Sequence, residues 1–190
     1  MKLEELIKLT HSILDQDRLT AFEELFEYNS PLVESAFIKA LGDSDELVRC
    51  TAVEYIGEHN VKAVLKQLYG LLEDEDEDVR NYTKISLAQL NSIELLEWIY
   101  SNFGKLNDNE KLYCNVASYL LNSDSSIASV TKFLMNSDYH LRCSVANLLS
   151  EFSKEPDVEK VLSDLNRALE TETTRAAKSS IEKAIVSLSE

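Results

Sequence analysis

The stretch Asp45-Glu46-Leu47-Val48-Arg49-Cys50-Thr51-Ala52, followed by Ile56-Gly57, decides the reading of this chain because it recurs. It returns as Asp76-Glu77-Asp78-Val79-Arg80-Asn81-Tyr82-Thr83 with Leu87-Ala88. A third copy is Asn109-Glu110-Lys111-Leu112-Tyr113-Cys114-Asn115-Val116, closing on Leu120, and a fourth is Asp138-Tyr139-His140-Leu141-Arg142-Cys143-Ser144-Val145, closing on Leu149. A weaker fifth stands at Ala177-Lys178 with Ile181 and Ile185. Take as marker the apolar residue before the basic one: Val48, Val79, Leu112, Leu141 and Ala177. The steps are then 31, 33, 29 and 36 residues. Markers with apolar or small residues four and eight positions on describe one helix face that recurs once per structural unit.

Between these phrases lie second helical patterns, such as Val61, Val64, Leu65, Leu68, Leu71 and Leu72, and then Ile93, Leu95, Leu96, Trp98, Ile99 and Tyr100. Each unit thus reads as helix A, a tight polar turn and helix B. The turns are Gly42-Asp43-Ser44, Asp74-Glu75, Asn107-Asp108 and Asn136-Ser137, rich in residues that cap helices. Pro31 and Pro156 fall where the first turn of a helix A should begin, the place where Pro is tolerated. The N-terminal segment adds a pair at roughly 2–14 and 17–28. Four Gly and two Pro are too few for an all-β chain, and 44% hydrophobic residues suffice for a continuous core. The fold class expected is all-α, an α-solenoid of about six helical hairpins. It should run as one array over 1–190, with a capping pair at 1–30, clear repeats at 31–152 and a C-terminal pair at 153–190. A lone hairpin cannot bury its apolar face, whereas stacked hairpins can, with helices A outside and helices B lining a concave surface.

An Asp, then a Val or Leu directly before an Arg, opening helix B of a two-helix unit, resembles HEAT repeats of the short bacterial kind, including those of phycobilin-lyase-like proteins. The resemblance covers Pro31 to Phe152 well and both ends weakly. It implies that the Asp caps helix B and that the Arg joins neighbouring repeats in a ladder, with Asp45 set with Arg49, Asp76 with Arg80 and Asp138 with Arg142. The third unit has Asn109 and Tyr113 in those places, so a ladder is expected to be interrupted there. The Trp, Leu-Gly and Tyr landmarks of tetratricopeptide helices A are missing.

Nineteen Lys and Arg stand against 34 Asp and Glu, a net charge of −15. That field repels phosphates, which argues against nucleic acid and against an anionic membrane surface as partners. It favours a protein partner with a basic surface. The N-terminus enters an amphipathic helix without an apolar core segment or cleavage site, and no apolar run approaches the roughly 18 residues of a membrane span. A cytoplasmic monomer is the expectation. The leading functional reading is a non-catalytic binding module, in its sharpest form an immunity or inhibitor protein that covers a basic toxin such as a nuclease. The rival is a HEAT-like enzyme or lyase-type subunit.

Searching for chemistry yields little. The run Glu73-Asp74-Glu75-Asp76-Glu77-Asp78 lacks the Gly of a calcium loop and reads as a solvated turn that caps helix B. Cys50, Cys114 and Cys143 all follow the marker by two, so they are one structural position used three times. Glu58-His59 is a single reversed copy of the His-Glu pair that metal-dependent HEAT-like hydroxylases repeat, and no nucleotide-binding or nucleophile-elbow motif occurs. No catalytic residue, metal ligand or cofactor is assigned. Register places marker +3 and +6 on the outer face of helix B. Those positions, with the acidic turn, give the candidate partner-binding set: Glu54, Glu75, Glu77, Tyr82, Ile85, Asn115, Ser118 and Asn147. Tyr82 and Ile85 are expected to form an exposed aromatic-aliphatic anchor.

Overall fold

The computed structural model describes residues 2–121, 127–154 and 156–189. Among them every regular element is helical: α1 (Leu3–Leu9), α2 (Asp15–Leu25), α3 (Pro31–Ala40), α4 (Glu46–Glu58), α5 (Leu65–Leu71), α6 (Glu77–Gln89), α7 (Glu94–Asn102), α8 (Asp108–Leu120), α9 (Ala128–Thr131), α10 (Tyr139–Phe152), α11 (Val158–Thr171) and α12 (Arg175–Ser189). Tight 3-10 turns precede α5 at Lys62–Val64 and follow α9 at Lys132–Met135, so each extends a helix A. Among the described residues α1 pairs with α2, α3 with α4, α5 with α6, α9 with α10 and α11 with α12, and the fold is an α-solenoid of the kind expected.

Two compact units divide it, Met1–Trp98 and Ile99–Glu190. In the first, α4 is packed by α2 on one flank, by α6 on the other and by its own helix A, α3, beneath. In the second, α10 lies between α8 and α12, with α11 against α12. Each of α4 and α10 is therefore covered on three sides, α10 also by α9.

Local chemistry sets the helix ends. Asp45 caps α4 by accepting from the N–H groups of Leu47 and Val48, and Asp76 does the same for α6 through Asp78 and Val79. Asp138 caps α10 through His140 N–H. In the third repeat the cap is Asn107 in a capping box with Glu110, two residues earlier than Asn109. Ser30 caps α3 with Pro31 in first position, as anticipated. Pro156 differs from expectation: α11 starts at Val158 after Asp157, so this Pro precedes the helix rather than opening it. Helices α4 and α6 stop with Asn60 and Asn91 at φ 55 and 56. Val61 N–H donates to Ile56 O, and Ser92 N–H to Leu87 O, so both ends close as Schellman motifs with Asn in the usual place of Gly.

The contact of α4 with α6 depends on small residues. A Cβ on Gly57 would stand 2.8 Å from Ser86 Oγ and 2.9 Å from Ser86 Cα and would run into Gln89 Oε1. Ser86 Oγ donates to Val53 O at 2.8 Å across the same seam.

Candidate interaction surface

Two of the basic residues at marker +1, Arg49 and Arg142, join repeats, but not with the partners the resemblance implied. Arg49 Nε and Nη2 donate to Asp74 at 3.1 and 2.8 Å, while Nη1 holds the carbonyls of Asp43 and Ser44. Its acceptor is thus the turn carboxylate of the following repeat, and Asp45 serves only as cap. Arg18 binds Asp43 in the same fork at 2.9 and 2.6 Å, with Nη1 on Ser12 O. Arg142 binds Glu172 at 2.6 and 2.9 Å, with Nη1 on the carbonyls of Asn136 and Ser137. Each acceptor stands five residues before its own marker and also takes an N–H of its own turn: Asp45 N–H for Asp43, Asp76 N–H for Asp74, Thr174 N–H for Glu172. At the same register the third and fourth turns carry the amides Asn107 and Asn136, and Tyr113 replaces the Arg. The acceptor positions of the third and fourth turns are thus uncharged, while the basic position of the second repeat keeps Arg80.

These pairs alter titration. Arg142 bonding, outweighing burial, brings Glu172 down to about 2. Burial alone would raise Asp43, but the bonds from Arg18 and from Asp45 N–H carry it below its ordinary value. Burial pushes the Cys50 thiol up to about 12. Cys50 and Cys114 are buried, Cys143 is half-buried, and all three are free thiols. Among the described residues no three His, Cys, Asp or Glu side chains gather as a metal-binding group.

Consuming arginines in the ladder has an electrostatic result. On α2, α4 and α6 the basic residues are Arg18, Arg49, Arg80 and Lys84. Arg18 and Arg49 are paired with carboxylates, and Arg80 Nη1 holds the carbonyls of Asp74 and Glu75. Lys84 is fully buried, donating to Asn81 Oδ1 at 3.0 Å with its ammonium 5.8 Å from the Trp98 ring centre. None of these helices exposes a lysine. The exposed lysines of this unit, Lys2, Lys8, Lys39, Lys62 and Lys66, all lie on helices A or at their starts. On α4 the residues left open by α2, α3 and α6 form one stripe: Leu47, Thr51, Glu54 and Glu58. Glu23 and, just past the helix end, Glu27 continue it on α2, and Asp78 is exposed on α6. The first unit holds 21 Asp and Glu against 9 Lys and Arg, the second 13 against 10. Acidity is thus concentrated in the first unit, and there on the side of helices B.

The residues picked from sequence fall into three groups. Glu54, Tyr82 and Asn147 reach the surface, Glu54 and Tyr82 half-exposed and Asn147 exposed on α10. Glu75 is exposed in the turn, and Glu77, half-buried, is the first residue of α6. Ile85, Asn115 and Ser118 are corrections, with only 4%, 8% and 6% of their surface exposed. Register counted one buried face per helix, whereas α6 and α8 bury most of their circumference. Tyr82 and Ile85 therefore do not form an exposed pair. Leu47, Glu58, Glu23 and Glu27 were missed, although marker −1 and +10 on the same face, and Arg18 counted as a ladder residue, would have found them.

Comparison with known proteins agrees with this architecture. A family model described as HEAT repeats matches residues 3–100. Among solved structures, the complex of CpcE and CpcF of phycocyanin lyase from Nostoc sp. PCC7120 superposes with a TM-score of 0.54. It is 16% identical and covers 99% of this chain and 95% of that one. A designed armadillo repeat protein follows at TM-score 0.43 and 14% identity, covering 98% of this chain and 100% of that one. No curated protein matches the sequence. The match spans more than half of the chain, and the inter-repeat arginine fork recurs at Arg18, Arg49 and Arg142: the chain belongs to the HEAT-repeat family.

Proposed function

We propose that this HEAT-repeat protein is a non-catalytic interaction module whose first unit holds a protein partner with a basic surface against the face of helices B. The observation that carries the reading is the sidedness of charge: α2, α4 and α6 expose Glu23, Glu54, Glu58 and Asp78 and no lysine, while the exposed lysines of that unit sit with helices A. Such a field raises the encounter rate with a cationic surface and rejects polyanions. Leu47, exposed within the stripe, supplies apolar contact at its edge. The solved complex of CpcE and CpcF is itself an assembly of two chains, which fits a repeat scaffold that works by holding another protein; at 16% identity it lends no substrate to this one. Neutralisation of a basic toxin is the sharpest version, and cytoplasmic residence goes with it.

Affinity capture with three baits tests the reading: the wild-type chain, a B-face variant (Glu23→Gln, Glu54→Gln, Glu58→Gln, Asp78→Asn) and an A-side control (Glu4→Gln, Glu5→Gln, Glu34→Gln). Basic proteins should be retained by the wild type and the control and lost from the B-face variant. Identical capture by all three would refute the assignment of the surface.

A further inference from the structure

A second site lies away from the acidic face and has the opposite charge character. Helix α1 has seven residues against ten in α3, and a helix ten residues long would reach about 4–5 Å further at 1.5 Å per residue. In place of that last turn the chain runs through the loop Thr10–Leu14, and a cavity of about 510 Å³ opens between the end of α1, α2, α3 and the turn Gly42–Ser44. Its volume lies in the range of pockets that enclose small ligands. Ile7, Phe22, Ala36 and Ala40 supply apolar wall. Asp43, its only lining carboxylate, is neutralised by the fork of Arg18, which leaves Lys39 as the uncompensated charge of the lining. Among the described residues neither Lys39 nor the neighbouring His11 side chain has a carboxylate or hydrogen-bond partner. The Ser35 hydroxyl is likewise available. Leu32, Ser35 or Ala36, and Lys39 recur at helical spacing and so share one face of α3, which puts apolar contact and ammonium in line along the cavity. Leu32, part of the lining, is 54% exposed.

We infer that this cavity binds a small amphipathic monocarboxylate, with its apolar chain on Phe22, Ala36 and Leu32 and its carboxylate at Lys39. The Lys39 ammonium over an apolar wall offers a local counter-charge to an anion with an apolar body and none to a cation of the same shape. The inference shares no residue with the acidic face and stands or falls apart from it.

Octanoate, octylammonium and octan-1-ol serve as probes of equal chain length, titrated into the full 15N-labelled protein. Octanoate should produce saturable shifts centred on the amides of Thr10–Ser12, Ala36–Ala40 and Gly42–Ser44, with a dissociation constant at least tenfold below that of octylammonium and below that of the alcohol. Lys39→Gln, at an exposed position, should weaken octanoate at least fivefold while leaving the alcohol unchanged, and Ala36→Phe should remove saturation for both by filling the cavity. Absence of saturation at those amides, equal affinity for the ammonium probe, or indifference to Lys39→Gln would each overturn the inference.

Discussion

Replacing Glu172 by Gln should weaken the second unit by an amount that depends on pH in a defined way. The Glu172 side chain is 2% exposed and accepts Arg142 Nε at 2.6 Å and Nη2 at 2.9 Å, together with Thr174 N–H at 2.7 Å. Its folded pKa of about 2 lies below the ordinary 4.5. A depressed carboxylate pKa contributes stability that is complete above the unfolded value and is lost as pH falls through the folded value. The difference is worth at most about 3 kcal/mol at pH 7 and about 1.4 kcal/mol at pH 3, at 1.36 kcal/mol per pKa unit. The window of loss is thus pH 4.5 to 2. Urea unfolding of wild type and variant by circular dichroism, at pH 7, 5, 4 and 3, reads the difference, and amide exchange in α10 and α12 localises it. The variant should be less stable by up to about 3 kcal/mol at pH 7 and 5, and roughly half of that gap should close by pH 3. A gap that is absent at pH 7, or constant across the series, would show that Glu172 charge does not hold the last two repeats together.

Three further outcomes are expected. Gly57→Ala should cost about 1–3 kcal/mol in thermal or urea unfolding, because its Cβ meets Ser86 Cα, which trimming the Ser86 side chain cannot relieve; an unchanged midpoint would mean that the α4–α6 seam is looser than described. Asp45→Ala removes acceptance from Leu47 and Val48 N–H and should cost about 1 kcal/mol, with Asp45→Asn recovering most of it. With its pKa pushed up to about 12, Cys50 should resist an aromatic disulfide reagent at pH 8, Cys143 should react first, and rapid modification of all three thiols in the folded protein would contradict their burial.

What was legible in the sequence was what repeats at short range. Asp45, Asp76 and Asp138 stand three residues before their markers, and that spacing identified caps and helix starts without any tertiary information. The ladder needed tertiary information: Arg49 reaches Asp74 across 25 residues and Arg142 reaches Glu172 across 30, because the intervening helix A varies in length. The nearer Asp45 was the natural but mistaken partner. Asn60 and Asn91 end their helices in a conformation that most residues avoid, a role a sequence reader gives first to Gly. Ile85, Asn115 and Ser118 were placed on the surface because amphipathic periodicity assumes one buried face, whereas α6 and α8 bury most of their circumference, polar and small residues included. The acidic face was half legible: total charge and Glu54 were visible, but its sidedness appears only once Arg18, Arg49 and Lys84 are seen to be held inside the structure.

The central claim, that the helix-B face of the first unit captures a basic protein by its field, is tested most directly by association kinetics. The partner retained on the wild-type bait would be measured against wild type and the B-face variant at 50, 150 and 500 mM salt. Over that range the Debye length falls from over 10 Å to about 4 Å. The wild-type association rate should fall at least tenfold, and the variant should already associate at the high-salt rate with its dissociation rate little changed. Association that is indifferent to salt and equal in the two proteins would contradict the account.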